Sequence, residues 1–492
     1  VVDKRPHIVL VTCDELRADA LSCFGNRVIK TPNLDALAAG GTRFQRAYTN
    51  SPWCLPSRCS LATGLYPHRN GSYSNFRDIP LDPDMPNIYS LLRGAGYHSA
   101  HIGKCHYKPV PYEQTRPDAT LPYDEFRDYY LSLGIDHLAL QDDKQVSVWF
   151  MDDYARELDA AGYLAAYRDA TWDRSRAKVF AFPGPAEWHP DSWVGMKAAD
   201  YVAEYRGDQP LFLWASFSGP HYPFDAPAEY YDSVDISVDA RFHDASEFDD
   251  PSRIHAAAFH GRPTGAIDGL GAAPGGATKH FSEAYWRELR RNYFANVAQI
   301  DAYIGRILTE VERRFGQDVL VIFTADHGEM LGSQGLYSKH WPYRESSGVP
   351  FVIRWPGRIE PGSKAADTIC LTDFFSTVSE IVGEDLPDET AEDSFSFLKQ
   401  IKGGQKKTPR APVIHHSSRG MFAVREGKWK LVLGNGSGGR EKPVGTPFGR
   451  PYQLFDLSAD IGERTNVIAQ HAEVAERLEK AFADLRSKGR SR

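Results

Sequence analysis

The sequence predicts an open α/β sheet, mostly parallel or mixed and flanked by helices, followed by a smaller C-terminal α+β unit with a short antiparallel sheet and a helix. Two observations carry this expectation. Continuous apolar runs that each end in polar residues occur at HIVLVTCDE (7–15), YHSAHIGKCH (97–106), LFLWASFSGPH (211–221) and VLVIFTADH (319–327), as expected for strands covered on both faces. Helical patterns lie between them, at TPNLDALAAGG (31–41), NIYSLLRGAG (87–96), SWVGMKAADYVAEYR (192–206) and EAYWRELRRNYFANVAQIDAYIGRILTEVERRF (283–315). Strands that alternate with helices build such a sheet.

Beyond residue 400 the pattern changes. The basic, Gly-rich IKGGQKKTP (401–409) reads as a linker. FAVREGKWKLVLG (422–434) and YQLFDLS (452–458) read as antiparallel strands, and HAEVAERLEKAFADLRSK (471–488) as an amphipathic closing helix. At 492 residues the chain is long for one domain, so a catalytic domain over 1–400 and a subdomain over 401–492 are expected. The stretch 108–190 reads as irregular and aromatic, with Trp149, Trp172 and Trp188 as pocket walls. Residues 261–277, with six glycines, Pro263 and Pro274, read as a mobile surface loop.

Charge and composition exclude several classes. Lys plus Arg less Asp plus Glu is 57 − 65 = −8, so no basic face is offered to nucleic acid or an anionic membrane. No run approaches the roughly 18 apolar residues of a membrane span. VVDKRPHIVL is not a secretory signal and does not begin with Met, which leaves a soluble protein whose compartment, periplasmic, secreted or cytoplasmic, stays open. Oligomeric state is left open as well. Six cysteines (13, 23, 54, 59, 105 and 370) are too sparse for a disulfide scaffold and show no zinc-ligand pairing.

All four predicted strands finish in ionisable residues: Asp14 and Glu15, Lys104 and His106, His221, Asp326 and His327. Ligands of open α/β sheets bind outside the carboxyl ends of the strands. Lys104 and His106 alternate and so face one side. Cys54, within SPWCLPSRCSLATG (51–64), precedes Pro56 in what reads as the first turn of a helix that runs to about Ala62 and ends at Gly64. Helix N-termini favour negative charge, so a thiol there is acidified and nucleophilic. A cysteine hydrolase is one reading, but it needs a partner His and leaves two acidic strand ends without a task.

C-L-P-S-R-C-S-L-A-T-G (54–64) closely resembles the sulfatase signature C-x-P-S-R-x-x-x-x-T-G. The resemblance extends through D-E-L-R-A-D (14–19), T-P-N-L-D (31–35), G-L-Y-P-H (64–68), G-K-C-H (103–106), S-G-P-H-Y-P-F (218–224), T-A-D-H-G-E (324–329), Y-S-K-H (337–340), V-P-F-V-I-R-W-P-G (349–357) and L-F-D-L-S-A-D-I-G-E-R-T-N (454–466). It implies a member of the alkaline phosphatase superfamily in which a maturase oxidises Cys54 to Cα-formylglycine (3-oxoalanine). It also implies one divalent metal on Asp14, Glu15, the modified Cys54, Asp326 and His327. Oxygen ligands favour Ca²⁺ or Mg²⁺, Ca²⁺ first, and His327, where many members carry Asn, admits Mn²⁺. Glu15 stands where Asp or Gln is frequent.

By the same resemblance Arg58 fixes the formylglycine oxygens, Lys104 binds sulfate oxygens and His106 takes a proton when the hydrate collapses. His221 and Lys339 hold the ester oxygen, His340 is an alternative to Lys339, and Asn75 contacts the substrate anion. His415 and His416 read as a surface pair. The expected substrate is a small sulfated carbohydrate, aryl or other organic ester, with no nucleic-acid or membrane partner. The alternatives are a phosphonate monoester or phosphodiester hydrolase of the same superfamily, suggested by Asp326–His327 but opposed by G-K-C-H, and a non-catalytic binder of sulfated ligands.

Overall fold

The computed structural model describes residues 5–75, 80–110, 120–171, 179–239, 281–402, 410–416, 421–434 and 452–492. Its main sheet contains β1 (His7–Asp14), β2 (Thr42–Tyr48), β3 (His98–Gly103), β4 (His137–Leu140), β5 (Leu211–Pro220), β6 (Val319–Ala325), β7 (Phe351–Arg354) and β8 (Ser363–Cys370). The four expected strands are β1, β3, β5 and β6. The spatial order is β8-β2-β7-β6-β1-β5-β3-β4. Neighbours run parallel except β7, which is antiparallel to both β2 and β6. β1 lies near the middle, and Ile8 to Cys13 are buried without alternation, which explains its unbroken apolar run.

The longer helices among the described residues are α1 (Pro32–Ala39), α2 (Cys54–Thr63), α3 (Ile88–Gly94), α4 (Asp124–Ser132), α5 (Lys144–Trp149), α6 (Asp153–Ala160), α7 (Leu164–Thr171), α8 (Pro190–Glu204), α9 (Glu283–Phe315), α10 (Asp373–Val382) and α11 (Ala472–Lys488). One group, α1, α8 and α9, packs together, with α8 and α9 on β5; a second, α2, α3 and α10, packs beside β3 and β8. The stretch 108–190 differs from its irregular reading. It holds α4 to α7 and β4, with Trp149 buried and Trp188 packed against the main core. Short amphipathic helices broken by turns had hidden their period. Trp172 and the Gly-rich 261–277 lie outside the described residues.

The C-terminal unit has four antiparallel strands in sequence order, β9 (Val413–His416), β10 (Phe422–Glu426), β11 (Trp429–Leu433) and β12 (Gln453–Asp456). α11 lies on β10 and β11 and buries Ala475, Leu478 and Phe482 with Val424, Leu431 and Leu454. A second cluster joins Met330, Leu336 and Trp341 of the large unit to Met421, Ala423 and Phe455. The small sheet is thereby packed onto the segment that carries Lys339. Of the expected linker, 403–409 lies outside the described residues. Among those described, no helix is long and apolar enough to cross a membrane.

Candidate active site

α2 begins at Cys54 because Trp53 is extended (φ −153°, ψ 143°), and it ends where Gly64 takes the left-handed conformation at φ 69°. Every residue of α2 is buried. Cys54 is 0% exposed, so the thiol at the helix N-terminus is buried. Its N-terminal turn is anchored by Asn75, whose Oδ1 accepts from the Leu55 amide at 3.0 Å, and by Ser57, whose hydroxyl donates to the Asp326 carbonyl at 2.5 Å.

Around the Cys54 sulfur stand the ends of β1 and β6. Asp14, Cys54, Asp326 and His327 each offer a ligand atom, and these atoms lie within 4.8 Å of one another. His327 donates Nδ1–H to the Gly328 carbonyl at 2.9 Å, which leaves Nε2 toward Cys54 Sγ and Asp14 Oδ1, both at 3.4 Å. That tautomer suits a metal ligand. Burial would lower the His327 pKa, but Asp326 and the Cys54 thiolate raise it to about 9. Burial likewise raises Asp326, with Asp14 adding to it against His327 and Arg58. Lys104, Arg58 and His327 balance the negative charge that converges here. A divalent cation balances the same charge, so the donor set fits one.

Glu15 lies outside that donor group. Its backbone takes φ 64° and its carboxylate accepts from Lys339 Nζ at 3.1 Å and Ser338 Oγ at 3.4 Å, with His221 Nε2 at 3.4 Å. Burial raises its pKa to about 8 against the pull of Lys339 and His221. The longer side chain ends between Lys339 and His221 rather than in the donor group.

Three cations stand around Cys54 and the carboxylates beside it. Lys339 Nζ donates to Cys54 Sγ at 3.1 Å. Arg58 binds Asp326 at 2.9 Å through Nε, and Lys104 O and Ser216 Oγ at 2.8 Å through Nη1. Its buried Nη2 has no hydrogen-bond partner and lies 3.9 Å from Asp14. Lys104 donates from Nζ to Asp14 and, at 2.5 Å, to Asp143. Burial would raise the Cys54 thiol, but Lys104, Lys339 and His327 outweigh it and hold the thiol well below its ordinary value. His106 adds to that pull, although neither of its buried ring nitrogens makes a well-directed hydrogen bond.

His221 donates Nδ1–H to the Tyr222 carbonyl at 2.5 Å, so Nε2 is the nitrogen it turns to the site, where Glu15 lies 3.4 Å away. The His340 amide donates to Pro52 O at 3.1 Å, and the ring packs edge-on against Trp53 at 4.8 Å between centroids, beside the nucleophile helix. His415 and His416 are not a surface pair. Both are buried because β9 runs along 49–51: the His415 Nδ1 hydrogen bond goes to Thr49 O at 2.8 Å, and His416 stacks on Phe422 at 4.4 Å.

The sequence reading missed Asp142 and Asp143, at the end of β4. Asp142 accepts from the Cys105 and His106 amides at 2.9 and 2.8 Å, and from the Tyr123 and Tyr130 hydroxyls at 2.6 and 2.5 Å. This holds His106 at φ 50°. Gly103 is required just before, since at φ +102° a Cβ would collide with the Ser216 carbonyl. The available signal was HLAL followed by QDDK (137–144), a fifth apolar run with a polar end.

A nucleophile at a helix N-terminus, ringed by cations and backed by an oxygen-rich donor group at strand ends, defines a hydrolase of anionic esters. The family model described as Sulfatase matches residues 6–384, and one described as N-sulphoglucosamine sulphohydrolase, C-terminal, matches 332–488. The chain belongs to the sulfatase family and is a sulfuric ester hydrolase. Family membership implies a formylglycine and a divalent metal. Similar proteins include an arylsulfatase of Clostridium perfringens (27% identical, covering 94% of this chain and 90% of the relative) and a choline-sulfatase of Rhizobium meliloti (26%, 98% and 86%). Among solved structures, a phosphonate monoester hydrolase of Agrobacterium radiobacter shares the fold at TM-score 0.75 (23% identical, covering 98% and 96%). A protein solved with its substrate D-glucosamine-2-N,6-O-disulfate does so at 0.67 (18%, 98% and 98%).

Proposed function

We propose that this protein hydrolyses a sulfate monoester of a small carbohydrate, aryl or other organic alcohol, with Cys54 converted by a maturase to formylglycine. The observation that carries this reading is the convergence of three cations on Cys54 and its neighbour Asp14: Lys339 on the Cys54 sulfur, and Lys104 and Arg58 on the Asp14 carboxylate. In this structure the Cys54 sulfur stands in for the hydrate oxygens. When present, the formylglycine hydrate supplies one hydroxyl to attack sulfur and a second to expel sulfate by collapse to the aldehyde, while the metal takes up oxygen charge. Asp14, Asp326, His327 and residue 54 would hold that metal. Ca²⁺ is our choice for the ion, with Mg²⁺ or Mn²⁺ as alternatives that elemental analysis separates.

The chain's own residues then divide the work. Arg58 Nη2 has an unused N–H to aim at hydrate or sulfuryl oxygens. Lys104 and Lys339 supply ammonium donors from two sides, a fixed arrangement that favours charge developing toward the leaving oxygen. His221, with Nδ1–H committed to a carbonyl, offers Nε2 for the proton given to the departing alcohol. His106, whose nitrogens are otherwise unused, takes the proton on hydrate collapse. Glu15 steadies Lys339 and His221. Asn75 acts by anchoring the turn that carries residue 54.

The phosphonate alternative rests on the Asp326–His327 pair, and the buried Lys104 and His106 argue against it. The test is side-by-side kinetics on 4-nitrophenyl sulfate and 4-nitrophenyl phenylphosphonate. The sulfate should have the higher kcat/KM, and Lys104→Ala should lower it by on the order of 10²-fold or more. A clear phosphonate preference in the unmutated protein overturns the reading.

A further inference from the structure

We propose that Asp143 positions Lys104 and, through its charge, makes the pocket favour singly charged esters over doubly charged ones. This deepens the sulfatase reading and rests on it. Asp143 is buried and lies at the junction of β4 and α5. One carboxylate oxygen caps α5 by accepting from the Gln145 amide at 2.9 Å, and the other holds Lys104 Nζ at 2.5 Å. Its backbone takes φ 151°, ψ 151°, a region that side chains rarely occupy and that persists only where surrounding contacts over-determine it.

Lys104 is wedged between two carboxylates with unequal commitments. Asp14 is a member of the donor group with Cys54, Asp326 and His327. Asp143 is not; its group is Asp14, Asp143 and His221, and the Lys104 ammonium bridges the two carboxylates of that group. Asp143 is thus the carboxylate whose hold on Lys104 does not compete with a cation at the donor cluster. With two of three ammonium protons engaged by carboxylates, Lys104 is fixed in direction and keeps a donor for an ester oxygen.

The same carboxylate sets the charge. Arg58, Lys104 and Lys339 stand against Asp14, Asp326 and Asp143. Asp143 removes one unit of positive charge from behind Lys104 without being a member of the donor group around residue 54. A sulfate monoester carries one negative charge. A phosphate monoester carries nearly two above its second pKa of about 6. The dianion suffers more from a fixed negative charge in a water-poor site, so Asp143 weighs against it.

The experiment compares the unmutated protein, Asp143→Asn and Asp143→Glu, each with conversion at residue 54 quantified by peptide mass spectrometry. Substrates are 4-nitrophenyl sulfate, 4-nitrophenyl phosphate and the singly charged 4-nitrophenyl phenylphosphonate at pH 8.5. Asp143→Asn, which keeps the helix cap, should raise the phosphate-to-sulfate ratio of kcat/KM by on the order of 10-fold or more. The ratio of the two monoanions should stay nearly constant, and Asp143→Glu should restore the original preference. Calorimetric Kd values for the sulfate and phosphate esters, with Cys54→Ala and Cys54→Ala/Asp143→Asn, should show the same shift without turnover. An equal fall on all three esters, or unchanged binding ratios, overturns the proposal. If the unmutated, fully converted protein turns over none of them, the aryl-ester reading of its substrate fails while the calorimetric ratio still decides the role of Asp143.

Discussion

Replacing Lys144 by Met should destabilise the protein and slow the chemistry by one physical cause. The Lys144 side chain is 0% exposed. It donates to Asp225 at 2.6 Å, Asn296 Oδ1 at 2.9 Å and the Pro223 carbonyl at 3.4 Å, with Asp191 at 3.8 Å. Asp225 also receives Tyr167 at 2.5 Å and faces His189 Nε2 at 3.3 Å, and Asp191 accepts the Gly219 amide at 2.7 Å. The segment that carries His221 is therefore held on both sides by one buried network. Burial would raise Asp225, but Lys144 and His189 hold it below the usual carboxylate range. Met fills a similar volume and leaves two carboxylates short of a cation, which costs roughly 3–5 kcal/mol when one partner of a buried pair is lost.

At about 2.1 cal/mol/K per residue, and with the chain unfolding as a unit, that loss lowers Tm by about 3–5 °C. Differential scanning fluorimetry reads it directly. Lys144→Met/Asp225→Asn should recover part of the loss, because the stranded charge is then gone, and kcat should fall more than KM rises because His221 is displaced from the leaving oxygen. An unchanged Tm in Lys144→Met, or a double variant less stable than the single changes summed, would refute this account of the network.

Cys54→Ala should abolish turnover while the protein stays folded, because no neighbouring side chain supplies two hydroxyls on one carbon; measurable hydrolysis in that variant would sink the formylglycine mechanism. Asp326→Ala should remove both activity and bound metal by elemental analysis, and a chelated enzyme that contains no metal yet keeps full activity would count against the donor set. His101 gives a pH prediction. It is buried, its Nδ1 meets the Tyr89 hydroxyl at 2.6 Å and its Nε2 meets the Lys104 carbonyl at 3.0 Å, and burial lowers its pKa to about 3 despite the Lys104 hydrogen bond. The unfolded chain protonates it near pH 6.5, so its contribution is complete above that pH and is lost as pH falls toward 3, by up to about 1.4 kcal/mol per unit. His101→Gln should flatten this acid limb in urea titrations, and an unchanged slope would assign the limb to other groups.

Much of the site was legible because its chemistry lies where periodicity is strongest. β1, β3, β5 and β6 are buried on both faces, so their apolar runs stand out, and each run stops where the chain turns into the site. Helix α2 announced itself through Pro56 and Gly64. What escaped depends on contacts between distant residues. Glu15 and Asp14 are adjacent in sequence, but a left-handed backbone at Glu15 sends the two carboxylates to different partners. His415 and His416 read as exposed because nothing local reveals that β9 lies against residues 49–51. Asp143 escaped for the same reason: β4 is only four residues long, too short for its period to mark its polar end as a strand end. Once β4 takes its place beside β3, Asp142 and Asp143 fall opposite the G-K-C-H turn. One carboxylate fixes the backbone of His106 and the other the side chain of Lys104. The motif supplies the lysine and the histidine, and a neighbouring strand with no motif of its own determines how they are aimed.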